Sequence, residues 1–197
     1  CYVPVNSYIV CLTLKESIED VEDNTKLHKS LHKNVSSPKT VTELYKRAVK
    51  VLLYRHHPMY KLRPRKSDYL LRPFPKELEN DLMKLKEIAF DGIRDDQLIF
   101  EQTNDDDFGD LSNCGLFHKL PDKRRNLFCF LHLTLQEFFA ALKLVDDLKK
   151  AEQHLTYLFD EPQWQFVIQF VTGLIGDKIR EAETASGKSV WSDAQAP

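Results

Sequence analysis

His132 stands two residues ahead of Thr134-Leu135-Gln136-Glu137, a Thr-x-x-Glu capping box that marks a helix start. A helix start carries free N–H groups and the positive end of the helix dipole, so it attracts anions. A histidine placed there can donate a hydrogen bond to a phosphate oxygen. The same spacing also suits a histidine packed beneath the preceding strand. The other histidines (His28, His32, His56, His57, His118, His154) form no HExxH motif, and Cys1, Cys11, Cys114 and Cys129 contain no CxxC pair. No metal site is expected, and so few cysteines suit a reducing compartment. Gly187-Lys188-Ser189 does not complete a phosphate-binding loop, because Ala182 occupies the place of its first glycine. No nucleophile–base pair or catalytic carboxylate pair stands out, so the chain is not expected to be an enzyme.

The elements that must position His132 have readable ends. Thr40-Val41-Thr42-Glu43 is another capping box, opening a helix to about His56 that Pro58 stops. Its apolar stripe is Leu44, Ala48, Val51 and Leu52. Pro75 precedes a second helix with the stripe Leu78, Leu82, Leu85 and Ala89, expected to end at Gly92. The helix after His132, over about 134–148, is expected to start at Thr134 and to bury Leu135, Phe138, Phe139, Leu142 and Val145. A fourth helix follows Glu161-Pro162 and buries Phe166, Val167, Phe170, Val171 and Leu174, with Gly176 at its C-cap. Between the second and third helices, Gln97–Glu101 reads as a strand, and a short helix is expected near Phe108–Ser112. Gly115–Leu120 and Leu127–Leu131 read as a β-hairpin around a turn rich in Lys and Arg. The fold class is therefore mainly α with a small β-hairpin: a winged-helix domain followed by a helical domain.

Composition is that of a globular chain. Of 197 residues, 42% are hydrophobic and 29% charged, and Pro plus Gly total 15, which excludes collagen-like and Pro/Gly-rich disordered chains. The Cys1–Leu14 segment is too short and too interrupted to span a membrane, and no basic region precedes it as in a signal peptide. The first residue is Cys, so the chain is expected to start inside a longer protein. The net charge of −2 hides an asymmetry. Residues 24–76 carry 14 Lys and Arg against Glu43 and Asp68, a net +12, whereas residues 77–114 carry three against 12 acids, a net −9. The basic block raises the alternative of a DNA-binding winged-helix module. The segment in the recognition position, Asp105–Ser112, is acidic and repels phosphate, so no nucleic-acid partner is expected.

Phe130-Leu131-His132-Leu133-Thr134-Leu135-Gln136-Glu137-Phe138-Phe139-Ala140-Ala141 resembles the F-[IL]-H-x-[ST]-[FL]-Q-E-F-F-A-A signature of the NOD-like receptors. In that family it lies in the winged-helix part of the NACHT module. Cys1–Cys11 (CYVPVNSYIVC) resembles the family's C-x-x-P-x-x-x-W/Y-I-x-C segment. Ile88–Ile93 with Leu98–Glu101 resembles its A-x-x-G-[IL] and [ILV]-F pattern. Trp164–Leu174 (WQFVIQFVTGL) resembles the W-x-x-V-x-x-F-x-x-G-L of its second helical domain.

The resemblance implies the end of the first helical domain (1–19), the winged-helix domain (39–148) and the start of the second helical domain (149–181), while polar composition marks 20–38 as a linker and the lack of apolar period makes 182–197 an expected disordered tail. It implies that His132 binds the β-phosphate of ADP, that Pro4 packs on the adenine and that Tyr8 lines the same pocket. The P-loop, Walker B acids and sensor Arg lie upstream in the family, so this chain is expected to be a regulatory fragment with no ATPase activity of its own. ADP or ATP would be its ligand only together with the nucleotide-binding domain of the same chain. The implied setting is a cytoplasmic innate immune receptor that forms a homo-oligomer on activation and recruits a signalling adaptor. The long stretches 20–38 and 57–76 depart from the family's compact pattern, and their loop contacts are not carried over.

Overall fold

The computed structural model of the chain describes residues 7, 9, 11, 38–60, 70, 74–102, 108, 111, 112, 114–147 and 161–186. Pro4, Tyr8, nearly all of the 20–38 linker, residues 61–69 and the tail beyond Ser186 lie outside the described residues.

Helix α1 is Val41–His56, and its start is the expected one: Thr40 Oγ1 accepts the Glu43 N–H at 3.0 Å. The return half of the capping box is displaced by one residue, since Glu43 Oε2 accepts the N–H of Lys39, at 2.9 Å, instead of that of Thr40. Pro58 disfavours helical backbone at the residue before it, and His57 turns extended with ψ 130°. The buried face centres on Tyr45 together with Ala48, Val49 and Leu52; Leu44 is only half-buried.

Pro75 leads through a 3₁₀ turn, Lys76–Leu78, into α2, Glu79–Arg94. The expected stop at Gly92 is not observed. The helix passes through Gly92 and ends in a Schellman motif, with the Gln97 N–H on the Gly92 carbonyl at 2.7 Å and the Asp96 N–H on that of Ile93 at 3.4 Å. The left-handed residue is Asp96, at φ 51°. Gly92 instead permits a close approach: a Cβ there would lie 2.5 Å from Gln136 Nε2 and 2.6 Å from the Phe100 ring.

Three short strands follow: β1 (Phe100–Glu101), β2 (Phe117–Lys119) and β3 (Leu127–Phe130), in the antiparallel order β1-β3-β2. Phe100 faces Phe128 and Phe117 faces Phe130, so alternation places four phenylalanines on one side of the sheet. Phe108 meets Phe117 and Phe128 edge-on, at 5.4 and 4.9 Å. In the hairpin turn Asp122 Oδ1 accepts the N–H groups of Arg124 and Arg125.

Helix α3, Leu133–Asp146, lies between α2 and the last helix, α4, Gln165–Ser186. Contact on both sides buries a wider arc than one stripe, so Ala140, Ala141 and Leu144 are buried with Leu135, Phe138, Phe139 and Val145, while Leu142 is only half-buried. In α4, Phe166 is exposed, contrary to expectation. Trp164, in the 3₁₀ turn Pro162–Trp164, takes the buried place against Phe90 at 5.3 Å. Gly176 is not a C-cap; the helix runs on to Ser186, through the first residues of the expected tail. Gly173 lets α4 approach Thr42 of α1 closely. The chain is mainly α with a small antiparallel sheet, as expected.

One core residue is anomalous. Glu137 is 4% exposed, its Oε2 has no hydrogen-bond partner among the described residues, and burial pushes its carboxyl up to about 7.

Two stability predictions follow from this packing, both read by chemical denaturation. Gly92→Ala should destabilise by about 1–3 kcal/mol through overpacking, whereas Gly176→Ala, with open space around its Cβ, should stabilise by about 0.5–1 kcal/mol. For Glu137 the folded state holds its proton more tightly than the unfolded chain. Its contribution is intact below about 4.5 and is lost as pH rises through about 7. Glu137→Gln should therefore match the parent near pH 4 and exceed it at pH 8 by up to about 3 kcal/mol. Equal stability of the two at pH 8 would show that the carboxyl is solvated or paired.

Candidate functional site

His132 lies two residues past β3, just after the Leu131 N–H bonds the Leu116 carbonyl at 2.9 Å and carries the hairpin ladder one bond further. Its backbone is extended, with φ −157° and ψ 150°, and its carbonyl accepts the Leu135 N–H at 3.0 Å. His132 is thus the N-cap of α3. This corrects the expectation that Thr134 caps the helix: Thr134 lies inside the first turn, and its own N–H is bound by His132 Nδ1 at 3.2 Å. A side-chain acceptor on the N–H two residues ahead is what an N-cap supplies, and an imidazole nitrogen does it here.

That contact assigns the tautomer. A backbone N–H can only donate, so Nδ1 carries the lone pair, and in the neutral ring the proton sits on Nε2. Thr134 Oγ1 also lies 2.9 Å from Nδ1 and 2.7 Å from the hydroxyl of Tyr45. With Nδ1 accepting, the threonine hydroxyl donates to the ring and accepts from Tyr45. The bonds run in one direction, Tyr45 to Thr134 to His132. Burial holds the His132 pKa below the usual histidine value, so the ring is neutral at pH 7. Protonation of Nδ1 would also set two donors against each other. The stability this group contributes is therefore lost as pH falls below about 6.5.

Nε2 therefore carries the one proton of a half-buried, neutral ring at the start of a 14-residue helix. A donor at the positive end of a helix dipole suits an anionic oxygen. It suits neither a general base, because the basic nitrogen is spent on the helix start, nor a nucleophile.

Of the expected site residues, the structure places His132. Pro4 and Tyr8 lie outside the described residues, so their convergence on it is not seen. His28 and His32, four residues apart, also lie outside them. Among the described residues no three His, Cys, Asp or Glu side chains are grouped to hold a metal ion, and no helix is long and apolar enough to cross a membrane.

The site also contains residues the sequence reading missed. Tyr45 completes a helical series with Ala48, Val49 and Leu52, so its burial was readable from spacing; its hydroxyl contact, 89 positions away, was not. Gln136, 1% exposed, donates from Nε2 to the Gln97 carbonyl at 2.9 Å and ties the start of α3 to the end of α2. Among the other histidines, His57 is buried with Nε2 3.1 Å from Asp81 and Nδ1 accepting the Met59 N–H, which braces the α1 exit against α2.

No protein-family model matches the chain. In an alignment 147 positions long that covers 72% of the chain, it is 27% identical to the "NACHT, LRR and PYD domains-containing protein 1 homolog" of Danio rerio. The chain is therefore distantly similar to a NACHT-domain protein, and the matched part spans only 8% of that protein's length.

Proposed function

We propose that this chain is a regulatory segment of a NOD-like receptor, in which His132 donates to a phosphate oxygen of ADP and helps hold the closed state. The observation that carries the reading is the tautomer of His132. Nδ1 is committed to the helix start, which leaves the proton on Nε2, and the residue sits at the signature position where the NOD-like family places its phosphate-binding histidine. The distant similarity to a NACHT-domain protein supports it.

The residues present suit one contact of such a site. The ligand supplies a diphosphate with several acceptor oxygens. His132 supplies a neutral donor, Thr134 and Tyr45 hold its ring, and the half-buried setting limits competition from water. Pro4 and Tyr8 would complete the pocket from the chain's first segment. This reading gives the chain a gating role and no catalytic step. Its partners would be the nucleotide-binding domain of the same polypeptide, further copies of the receptor after opening, and a signalling adaptor, all in the cytoplasm. A hydrogen bond to a charged group contributes roughly 1.5–3 kcal/mol, enough to shift a closed–open ratio about tenfold or more.

A second reading, a DNA-binding winged helix, is favoured by the hairpin tip, where Lys119, Lys123, Arg124 and Arg125 are all exposed. It requires duplex binding that weakens steeply with salt. The first reading requires none.

The test uses a protein carrying this chain together with its NACHT nucleotide-binding domain. His132→Leu should weaken ADP retention about tenfold or more and raise ligand-free oligomerisation. His132→Asn separates the two roles of the residue. Asparagine caps helices well but is too short to reproduce the contact, so this variant should keep the parent's stability and still lose ADP. If His132→Leu purifies with its full complement of ADP and stays monomeric, the histidine is only a cap.

A further inference from the structure

The hydrogen bonds behind His132 run through a residue that no motif singles out. We propose that Tyr45 is a positioning residue for His132, acting through Thr134 to hold the imidazole as the Nε2–H tautomer and to link that state to the packing of α4. The proposal rests on the reading of His132 as a phosphate donor, but it makes a claim about the ring that can be measured without nucleotide.

Three observations meet here. Tyr45 is 1% exposed and Thr134 4%, so their hydroxyls have no ready exchange with water and must find protein partners. The Tyr45 hydroxyl lies 2.7 Å from Thr134 Oγ1, which lies 2.9 Å from His132 Nδ1. Finally, the Tyr45 ring is held by Phe138 of α3 at 5.8 Å and by Phe170 of α4 at 5.0 Å, the latter edge-on. Phe138 and Phe170 also meet edge-on, at 5.3 Å.

The direction of the chain follows from what each group can do. Thr134 Oγ1 has one proton. While Tyr45 donates to its lone pair, the threonine proton points to Nδ1, and each bond polarises the next. Without the tyrosine hydroxyl, Thr134 can turn and accept from a protonated Nδ1, which offsets the opposition of the Thr134 N–H and makes it easier for the ring to take up a proton or change tautomer. A shift of α4 that moved Phe170 off Tyr45 would loosen the same chain. The state of the phosphate donor is thereby tied to the helix that leads away from this part of the fold.

The experiment is nitrogen-15 NMR of the imidazoles in the 197-residue chain, with the His132 signals identified by their loss in His132→Gln. The parent should show Nε2 protonated and Nδ1 bare, titrating below the usual histidine value. Tyr45→Phe keeps the ring and removes only the hydroxyl. It should raise the His132 midpoint toward about 6.5 and mix the tautomers. Thr134→Val should do so more strongly, Thr134→Ser should restore the parent signals, and Phe170→Leu should shift them in the same direction as Tyr45→Phe. The proposal is overturned if Nδ1 carries the proton in the parent, or if Tyr45→Phe and Thr134→Val leave tautomer and midpoint unchanged. It is equally overturned if Phe170→Leu leaves the signals untouched. Failure of the nucleotide reading would appear differently, as full ADP retention by His132→Leu with the NMR pattern intact.

Discussion

The bond from the Thr134 N–H to His132 Nδ1 is the constraint on which the rest of the site depends. An N–H offers only a proton, so the ring nitrogen it meets must offer a lone pair. From that single fact follow the neutral ring, the proton on Nε2 and the direction in which the hydroxyls of Thr134 and Tyr45 point. The bond also satisfies one of the donors that a helix start leaves over, so the geometry that puts the ring proton on Nε2 is the geometry that begins α3. Cap and donor are two ends of one imidazole.

The surrounding fold holds that ring at a fixed height. The hairpin delivers His132 in extended conformation, with its last ladder bond made one residue earlier, at Leu131. Gln136, on the next turn, is clamped to the Gln97 carbonyl, and Gln97 is itself the residue that closes the Schellman motif of α2. Gly92 makes this clamp possible, since any side chain there would occupy the space of the Gln136 amide. The start of α3 is therefore pinned from three sides: by the sheet, by the end of α2, and by Tyr45 from α1. Phe138, Phe139 and Phe170 fill the space between these supports without polar atoms of their own to satisfy.

Much of this was legible in the sequence because it is local. The Thr40 capping box, the stop before Pro58, the hairpin and the buried aromatics of α3 all depend on residues within a turn or two of each other. The misreadings share a physical cause. Gly92 and Gly176 look like helix stops when only chain order is visible, yet one serves a close approach to another helix and the other is simply tolerated where a Cβ would meet open space. Thr134 heads a capping box by spacing, but His132 precedes it and a ring nitrogen can cap as well as an oxygen, so spacing alone could not choose between them. Phe166 has the right period for burial and loses its place to Trp164, a larger side chain that reaches Phe90 from the preceding turn. Of the candidate site, His132 was legible and its tautomer was not, because the tautomer is decided by the backbone geometry of the cap, which spacing does not reveal.

The most direct test of the central claim is a crystal structure of a protein that carries this chain together with a NACHT nucleotide-binding domain and bound ADP. The decisive quantity is the distance from His132 Nε2 to the nearest phosphate oxygen. Our account predicts a hydrogen bond of about 2.7–3.2 Å from Nε2, with Nδ1 still on the Thr134 N–H. A ring turned so that Nδ1 faces the nucleotide, or a diphosphate beyond the reach of His132, would contradict it.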